Sequence, residues 1–256
     1  MDLHLKDKVV IVSGGANGIG RAISSQLCEE GAIPVLLDKN EAAGKSFLKS
    51  FPRSHFMPID LNDSTACKKC VEEILTRAGH IDGLVNNAGI NDGVGLEKGT
   101  PAKFLQSLNN NTGHYYYLAQ ACLPQLRNTK GSMVNIASKV AVTGQGNTSG
   151  YAAAKGAILG LTREWAVELL PYSIRVNAVV PAEVWTPLYE SWIKSFPDPV
   201  EKKRQMENKI PLDKRMTTPE EIANMVVFLL SDRSLHITGQ WIHVDGGYTH
   251  LDRALS

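Results

Sequence analysis

Cysteine is scarce in this chain, and net charge is nearly absent. Four cysteines in 256 residues do not make a disulfide framework, which points to a reduced compartment. Lysine and arginine number 27 against 26 acidic residues, a formal charge of +1. Nothing in that balance favours a nucleic-acid backbone or an anionic membrane surface. Long apolar runs are missing too: stretches such as Met225–Leu230 are far too short to span a bilayer. The opening Met-Asp-Leu-His-Leu-Lys-Asp-Lys lacks the apolar core and cleavage site of a secretory signal. The expectation is a soluble cytoplasmic protein with no nucleic-acid and no membrane partner. Internal repeats and low-complexity linkers are absent, and a chain 43% hydrophobic and 21% charged is neither disordered nor collagen-like. Cys67 and Cys70 form a Cys-x-x-Cys pair inside a helical pattern, but no second ligand pair accompanies them and the seven histidines are scattered. No metal is expected.

What the sequence does have is alternation. Apolar runs at Val9–Val12, Ile33–Leu37, His55–Ile59, Gly83–Asn86, Ser132–Ile136, Ile174–Val180 and Trp241–Val244 read as strands, with helical patterns between nearly all of them. Val9–Val12 shows no polar alternation, as expected for a strand covered on both faces. Ile19, Ala22, Ile23 and Leu27 then keep helical spacing, and Gly31 can end that helix. Such alternation predicts one α/β domain over residues 1–256. Its core would be a doubly wound parallel sheet of about seven strands, with ligands at the strands' carboxyl ends. From Pro181 to about Met216 the rhythm breaks. This stretch carries Trp185, Tyr189, Trp192, Phe196, several prolines and the run Glu201–Arg204. It reads as a helical lid over a site, and the charge run as a solvated helix face.

Directly after the first strand comes Ser13-Gly14-Gly15-Ala16-Asn17-Gly18-Ile19-Gly20. Gly14 permits a tight turn, Gly18 lets backbone amides approach a pyrophosphate, and Gly20 allows helix to pack closely on strand. The helix N-terminus adds N–H donors and a favourable dipole for an anion. Asp38 ends the next strand at about the twenty-residue offset of a ribose-binding acid. Its carboxylate would accept from both ribose hydroxyls and repel a 2′-phosphate, which favours NAD over NADP. Lys39 could offset part of that repulsion.

Tyr151-Ala-Ala-Ala-Lys155 places a phenol and an ammonium four residues apart on one helix face. A tyrosine of pKa about 10 is a poor base near neutrality, and a fixed cation beside it would favour the phenolate. Ser138, thirteen residues upstream and just past a predicted strand, can hydrogen-bond the reacting oxygen.

With these motifs in order, the chain from residue 5 to about residue 248 resembles the short-chain dehydrogenase/reductase family, with its single Rossmann-type domain. The glycine motif stands as Ser13–Gly20, the adenine-side aspartate as Asp60-Leu61 and the strand-four motif as Asn86-Asn87-Ala88-Gly89. The catalytic tetrad matches Asn111, Ser138, Tyr151 and Lys155. The nicotinamide clamp matches Pro181–Thr186, and the closing strand ends in Val244-Asp-Gly-Gly247. The resemblance implies a cofactor site formed by Gly14, Asn17, Gly18, Ile19, Gly20, Asp38, Asp60, Leu61, Asn87, Ala88, Gly89, Tyr151, Lys155, Val184 and Thr186. It implies that Tyr151 is the acid/base, that Lys155 holds the nicotinamide ribose and lowers the tyrosine pKa, and that Ser138 orients the substrate oxygen. Asn111 would kink its helix and hold a water in a proton relay to Lys155, although Asn109-Asn110-Asn111 offers neighbouring registers. Ser13 replaces the family's usual threonine and keeps a hydroxyl, while Ala182 replaces a glycine of the clamp. The family's habit of forming tetramers implies a homo-oligomer.

Family membership does not fix a substrate. Glu183 in the clamp, Gln145 and Asn147 between Ser138 and Tyr151, His114 one turn beyond Asn111, and Asn91 and Asp92 after the strand-four motif suggest a polar pocket. Such a pocket suits sugar hydroxyls better than a steroid or acyl chain, and Trp185 or Trp192 could stack on a pyranose. Glu183 could instead point to solvent or pair with a basic residue of the lid. Within the family, Glu183–Tyr189, Gly144–Ser149 and Gly247–Arg253 resemble the aldose dehydrogenases that oxidise L-fucose at the anomeric hydroxyl to a lactone. The alternatives are a reductase of another carbonyl class (a hydroxysteroid or a 3-oxoacyl thioester) and a non-catalytic NAD-binding sensor. The intact Tyr151 and Lys155 count against the sensor.

Overall fold

The seven apolar runs become seven parallel strands, hydrogen-bonded in the order β3-β2-β1-β4-β5-β6-β7. A computed structural model describes residues 1–251. Residues 252–256, including the Asp252 and Arg253 that close the C-terminal segment quoted above, lie outside the described residues. The strands are β1 (Val9–Ser13), β2 (Ile33–Asp38), β3 (His55–Pro58), β4 (Gly83–Asn86), β5 (Ser132–Ile136), β6 (Arg175–Pro181) and β7 (Trp241–Val244). Every expected strand is present, with ends displaced by no more than a residue.

Between and after them run α1 (Gly18–Glu29), α2 (Glu41–Ser50), α3 (Ser64–Ala78), α4 (Pro101–Leu108), α5 (His114–Thr129), α6 (Ser149–Glu168), α7 (Pro187–Ile193), α8 (Pro199–Glu207) and α9 (Pro219–Leu230). All five residues of β1 are buried, and its side chains alternate between two helix layers. Val10 and Val12 pack with Ile23 and Leu27 of α1 and Val226 and Val227 of α9. Val9 and Ile11 pack with Val71 and Ile74 of α3, Leu118 and Cys122 of α5, and Ile158 and Trp165 of α6. Burying each such aliphatic side chain contributes about 1.5–3 kcal/mol. That two-sided demand is why these strands are written as unbroken apolar runs. Cys67 and Cys70 belong to the same core, where burial pushes their thiols up to about 11 and about 12.

Three features of the fold set up the site. First, β1 pairs with β2 on one side and β4 on the other, so the crossovers diverge there and leave a crevice at the carboxyl ends. Second, α4 joins α5 through one π-helical turn, Asn109–Gly113, a local widening common at functional positions. Third, the expected lid of residues 181–216 carries α7 and α8. The run Glu201–Arg204 lies on α8, where Arg204 pairs with Glu201 on the exposed side. No helix among the described residues is long and apolar enough to cross a membrane.

Candidate active site

On the β1 side of the crevice the glycine loop is locked by its neighbours. The Ser13 hydroxyl accepts from the backbone amides of Asn87 at 2.9 Å and Ala88 at 3.1 Å, the task its threonine counterpart would share. The Asn87 side chain donates to the Ser13 and Gly14 carbonyls, so it braces the loop. Gly14 and Gly18 have φ of +63° and +52°, a region where glycine is unstrained. A Cβ on Gly20 would stand 2.0 Å from the Gly14 carbonyl oxygen. Asn17 precedes α1 without a side-chain cap bond, which leaves the first-turn amides of Ile19 and Gly20 as uncommitted donors. The Asp38 carboxylate accepts from Ala16 N at 3.1 Å and Asn40 N at 3.0 Å. It therefore stands fixed beside the loop, while Lys39 is exposed. Asp60 accepts from Asn62 N and Leu61 is half-buried, both just past β3.

An uncapped helix end, a glycine cradle and a fixed carboxylate at the end of β2 suit the pyrophosphate and ribose of a dinucleotide. A Cβ at Gly18 would meet Thr186 of the clamp at 3.6 Å, so loop and clamp approach each other with little but backbone between. A Cβ at Gly89 would lie 3.0 Å from Asn111 Oδ1 and 3.6 Å from Lys155 Nζ. Glycine there avoids a tight contact with the Asn111 amide. The residues present fit a nicotinamide dinucleotide.

The tetrad positions converge at the ends of β4 and β5. Asn111 is fully buried in the π turn. Its Oδ1 accepts from Ile90 N at 2.7 Å and its Nδ2 donates to the Ser107 carbonyl at 2.9 Å. Lys155 donates to the Ile136 carbonyl at 2.6 Å and the Tyr115 phenol at 3.2 Å, and its Nζ lies 5.7 Å from the Tyr151 ring centre. Burial pushes the Lys155 ammonium down to about 7. Burial also pushes the Tyr151 phenol up to about 12, against a hydrogen bond from Ser138 that lowers it. The sequence reading lowers this pKa by the lysine together with an oxidised nicotinamide; in the chain alone it lies above its ordinary value, because loss of water outweighs the Ser138 hydrogen bond.

The residues assigned to substrate are distributed less evenly. Asn91, Asp92, Gln145 and Asn147 are exposed, on two loops tied together by Gly150 N donating to the Val94 carbonyl at 3.1 Å. Asp92 accepts from Ser107 Oγ at 2.8 Å. His114 corrects the sequence reading: it is 2% exposed and packs tilted against Tyr115, in the interior. Desolvation, with Lys155 nearby, pushes it down to about 4. The Val184 backbone bridges to Thr217, and Thr186 caps α7. Trp185 is half-buried, and Lys203 Nζ of α8 lies 4.3 Å over its ring, so one face is already covered. Trp192 packs edge-on between Tyr189 and Phe196. Glu183 does not point to solvent and does not pair with the lid's bases. Its carboxylate pairs with Lys139, beside Ser138, and accepts from the Tyr189 phenol. Sequence reasoning missed both Lys139 and Tyr115. The run Tyr115-Tyr116-Tyr117 gave no sign of which ring is buried, and a lone lysine ordinarily reads as surface.

The comparisons with known proteins follow this geometry. A family model described as Enoyl-(Acyl carrier protein) reductase matches residues 14–249. The L-fucose dehydrogenase of Bos taurus is 37% identical over 248 residues, covering 96% of this chain and 91% of its own. Among solved structures, that of Cj0485 dehydrogenase superposes with a TM-score of 0.97 at 45% identity, covering 100% of this chain and 99% of the other. The ligand-free aldohexose dehydrogenase of Thermoplasma acidophilum gives a TM-score of 0.91 at 31% identity, covering 99% and 98%.

Proposed function

The chain belongs to the short-chain dehydrogenase/reductase family, and from that premise we propose that it oxidises an aldose such as L-fucose to its lactone, with NAD as hydride acceptor. The broader class, an NAD(P)-dependent oxidoreductase, comes with the family itself. The observation that carries the finer reading is a largely buried ion pair between Glu183 of the clamp and Lys139, the residue that follows Ser138. An apolar substrate would leave that polar wall without partners. The names of relatives that act on L-fucose and on aldohexoses support the same substrate class.

In this reading Tyr151 acts as its phenolate, taking the proton of the anomeric hydroxyl to become the phenol, and the Ser138 hydroxyl holds that oxygen in place. When bound, the oxidised nicotinamide accepts the hydride and adds a positive charge to the site. The Lys155 ammonium is the chain's own cation near Tyr151, anchored by Ile136 and Tyr115. Asn111, held between Ile90 and Ser107, fixes the π turn that brings its amide beside Lys155 and would hold a relay water. Asp38 favours NAD because its carboxylate accepts from a ribose diol and repels a phosphate.

We also infer a homo-oligomer, a tetramer, in the cytoplasm. Tyr116 of α5 is 49% exposed and lies 6.4 Å from Trp165 of α6, with Val167 67% exposed further along α6. That apolar pair of helices suits a second copy, which light scattering would detect. The function is tested by following cofactor reduction with NAD and NADP across aldoses and polyols. Turnover of aldoses with NAD is expected. Turnover of a hydroxysteroid or an acyl thioester alone would replace this reading.

A further inference from the structure

Three neighbouring strands deliver an ionic cluster to one spot. Ser138 and Lys139 follow the end of β5, Glu183 follows the end of β6, and Tyr248 follows the end of β7. Lys139 is only 6% exposed, and its ammonium pairs with one Glu183 carboxylate oxygen. The other oxygen accepts from the phenol of Tyr189 on lid helix α7 at 2.5 Å. Burial and the Glu183 charge push that phenol far above its ordinary pKa, so it stays a donor. Lys139 Nζ stands 3.9 Å from the centre of the Tyr248 ring, and the Tyr189 phenol also touches Met206 Sδ of α8.

Counting hydrogen-bond capacity shows what the cluster leaves open. An ammonium has three donors. One goes to Glu183 and one can face the Tyr248 ring, which leaves one. A carboxylate has about four acceptor positions, of which Lys139 and Tyr189 use one on each oxygen. A buried ion pair adds little stability compared with apolar residues of the same shape, and a partly satisfied one is worse than either extreme. Completion by a ligand removes that cost. The ligand must offer an acceptor to the lysine and a donor to the carboxylate a few ångströms apart. Two adjacent hydroxyls on a sugar ring do so.

We propose that Lys139 and Glu183 together read a vicinal pair of aldose hydroxyls, with Tyr189 holding the carboxylate in position for them. This rests on the aldose reading above and adds to it a residue, Lys139, and a required arrangement of substrate hydroxyls. Lys139 and Glu183 touch substrate, whereas Tyr189 is a positioning residue. Because Tyr189 belongs to the lid, the same bonds join the substrate wall to the segment that covers it.

The test compares the parent with Lys139→Met, Glu183→Gln and the double variant. L-fucose is assayed alongside its monodeoxy analogues, and cofactor affinity and thermal unfolding are measured in parallel. The double variant leaves no unpaired charge, so it keeps the comparison valid if either single change folds poorly. Loss of a charge-assisted bond predicts a fall in kcat/KM of roughly 10- to 150-fold for L-fucose. For each of the two analogues that lack a read hydroxyl, the fall caused by changing the residue that reads it should shrink to under about 3-fold, since that bond is already gone. Equal losses on every analogue, or no loss on any, would overturn the proposal while leaving an aldose dehydrogenase. A parent that reduces NAD with no aldose would overturn the functional reading and this proposal together. Tyr189→Phe should raise KM for L-fucose more than it lowers kcat, and an unchanged KM would remove its positioning role.

Discussion

Lys155 donates to the Ile136 carbonyl at 2.6 Å, a bond that ties the ammonium to the last residue of β5, two positions before Ser138. A second bond, to the Tyr115 phenol at 3.2 Å, also holds the ammonium. Tyr115 itself donates to the same Ile136 carbonyl at 2.9 Å, so the three groups form a closed triangle. The ammonium therefore stands where it does without help from any ligand. Preorganisation of this kind spares the site a rearrangement at the moment of reaction. It also means that Tyr151, and not Lys155, carries the chemistry that a single-atom deletion can isolate.

Tyr151→Phe removes only the phenolic oxygen. Cofactor affinity, read by fluorescence titration, should stay within a few-fold of the parent. Turnover should fall at least about 100-fold, the low end of what general acid–base catalysis contributes. Turnover close to the parent would take Tyr151 out of the acid/base role.

Asp38→Ala tests the cofactor. Both carboxylate oxygens are held by backbone amides, Ala16 on one side and Asn40 on the other, so the charge is fixed where a ribose would lie. The parent should prefer NAD. The variant should narrow the gap to NADP chiefly through the cofactor KM, as steady-state kinetics with both cofactors would show. Equal use of both by the parent would assign the decisive charge to Lys39.

Gly20→Ala should cost both stability and cofactor binding. The added methyl would meet the Gly14 carbonyl at 2.0 Å and Asn87 Nδ2 at 2.6 Å, and backbone does not yield as a flexible side chain does. Overpacking of this kind costs about 1–3 kcal/mol, visible as a lower denaturant midpoint. The distorted loop should also weaken nicotinamide dinucleotide binding by more than the stability loss alone explains. A variant as stable as the parent would mean that the loop can shift away from α1.

Most of the framework could be read from the sequence because its physics is local or repetitive. A strand buried on both faces is largely apolar, and the runs Val9–Val12 of β1 and Ile33–Leu37 of β2 carry no polar residue. The glycine loop needs positive φ at Gly14 and Gly18, which glycine adopts without strain. The wall beside Ser138 was not legible, for a different reason. Lys139 and Glu183 are 44 residues apart, and no periodicity reports that two charged side chains turn toward each other. His114 was placed by the 3.6-residue period of an α-helix. The turn that carries Asn111 is π-helical, and His114, like Asn111, faces the interior, a burial that spacing alone does not report. The pKa direction of Tyr151 needed the burial that only packing reveals.

His114 supplies the last prediction, about acid stability. Its two ring nitrogens are buried, and desolvation, opposed by the nearby Asn110 and Ala88 backbone, pushes its pKa down to about 4 against an ordinary 6.5. As pH falls below 6.5 the unfolded chain binds a proton at this histidine, and the folded chain does not until pH approaches 4. The unfolded state thus holds more protons across that window, so stability must decline as pH drops through it and level off below. Taken from neutral pH to pH 5, this one group accounts for a loss of about 2 kcal/mol. His114→Phe keeps an aromatic ring against Tyr115 and removes the titrating group, at a packing cost that is the same at every pH. Unfolding free energies from urea titrations at neutral pH and at pH 5 should therefore show a smaller acid loss in the variant. If parent and variant lose the same amount, His114 is not buried as a neutral ring, and the acid sensitivity of this fold must come from elsewhere, with His243, whose pKa is also lowered by burial, the next group to replace.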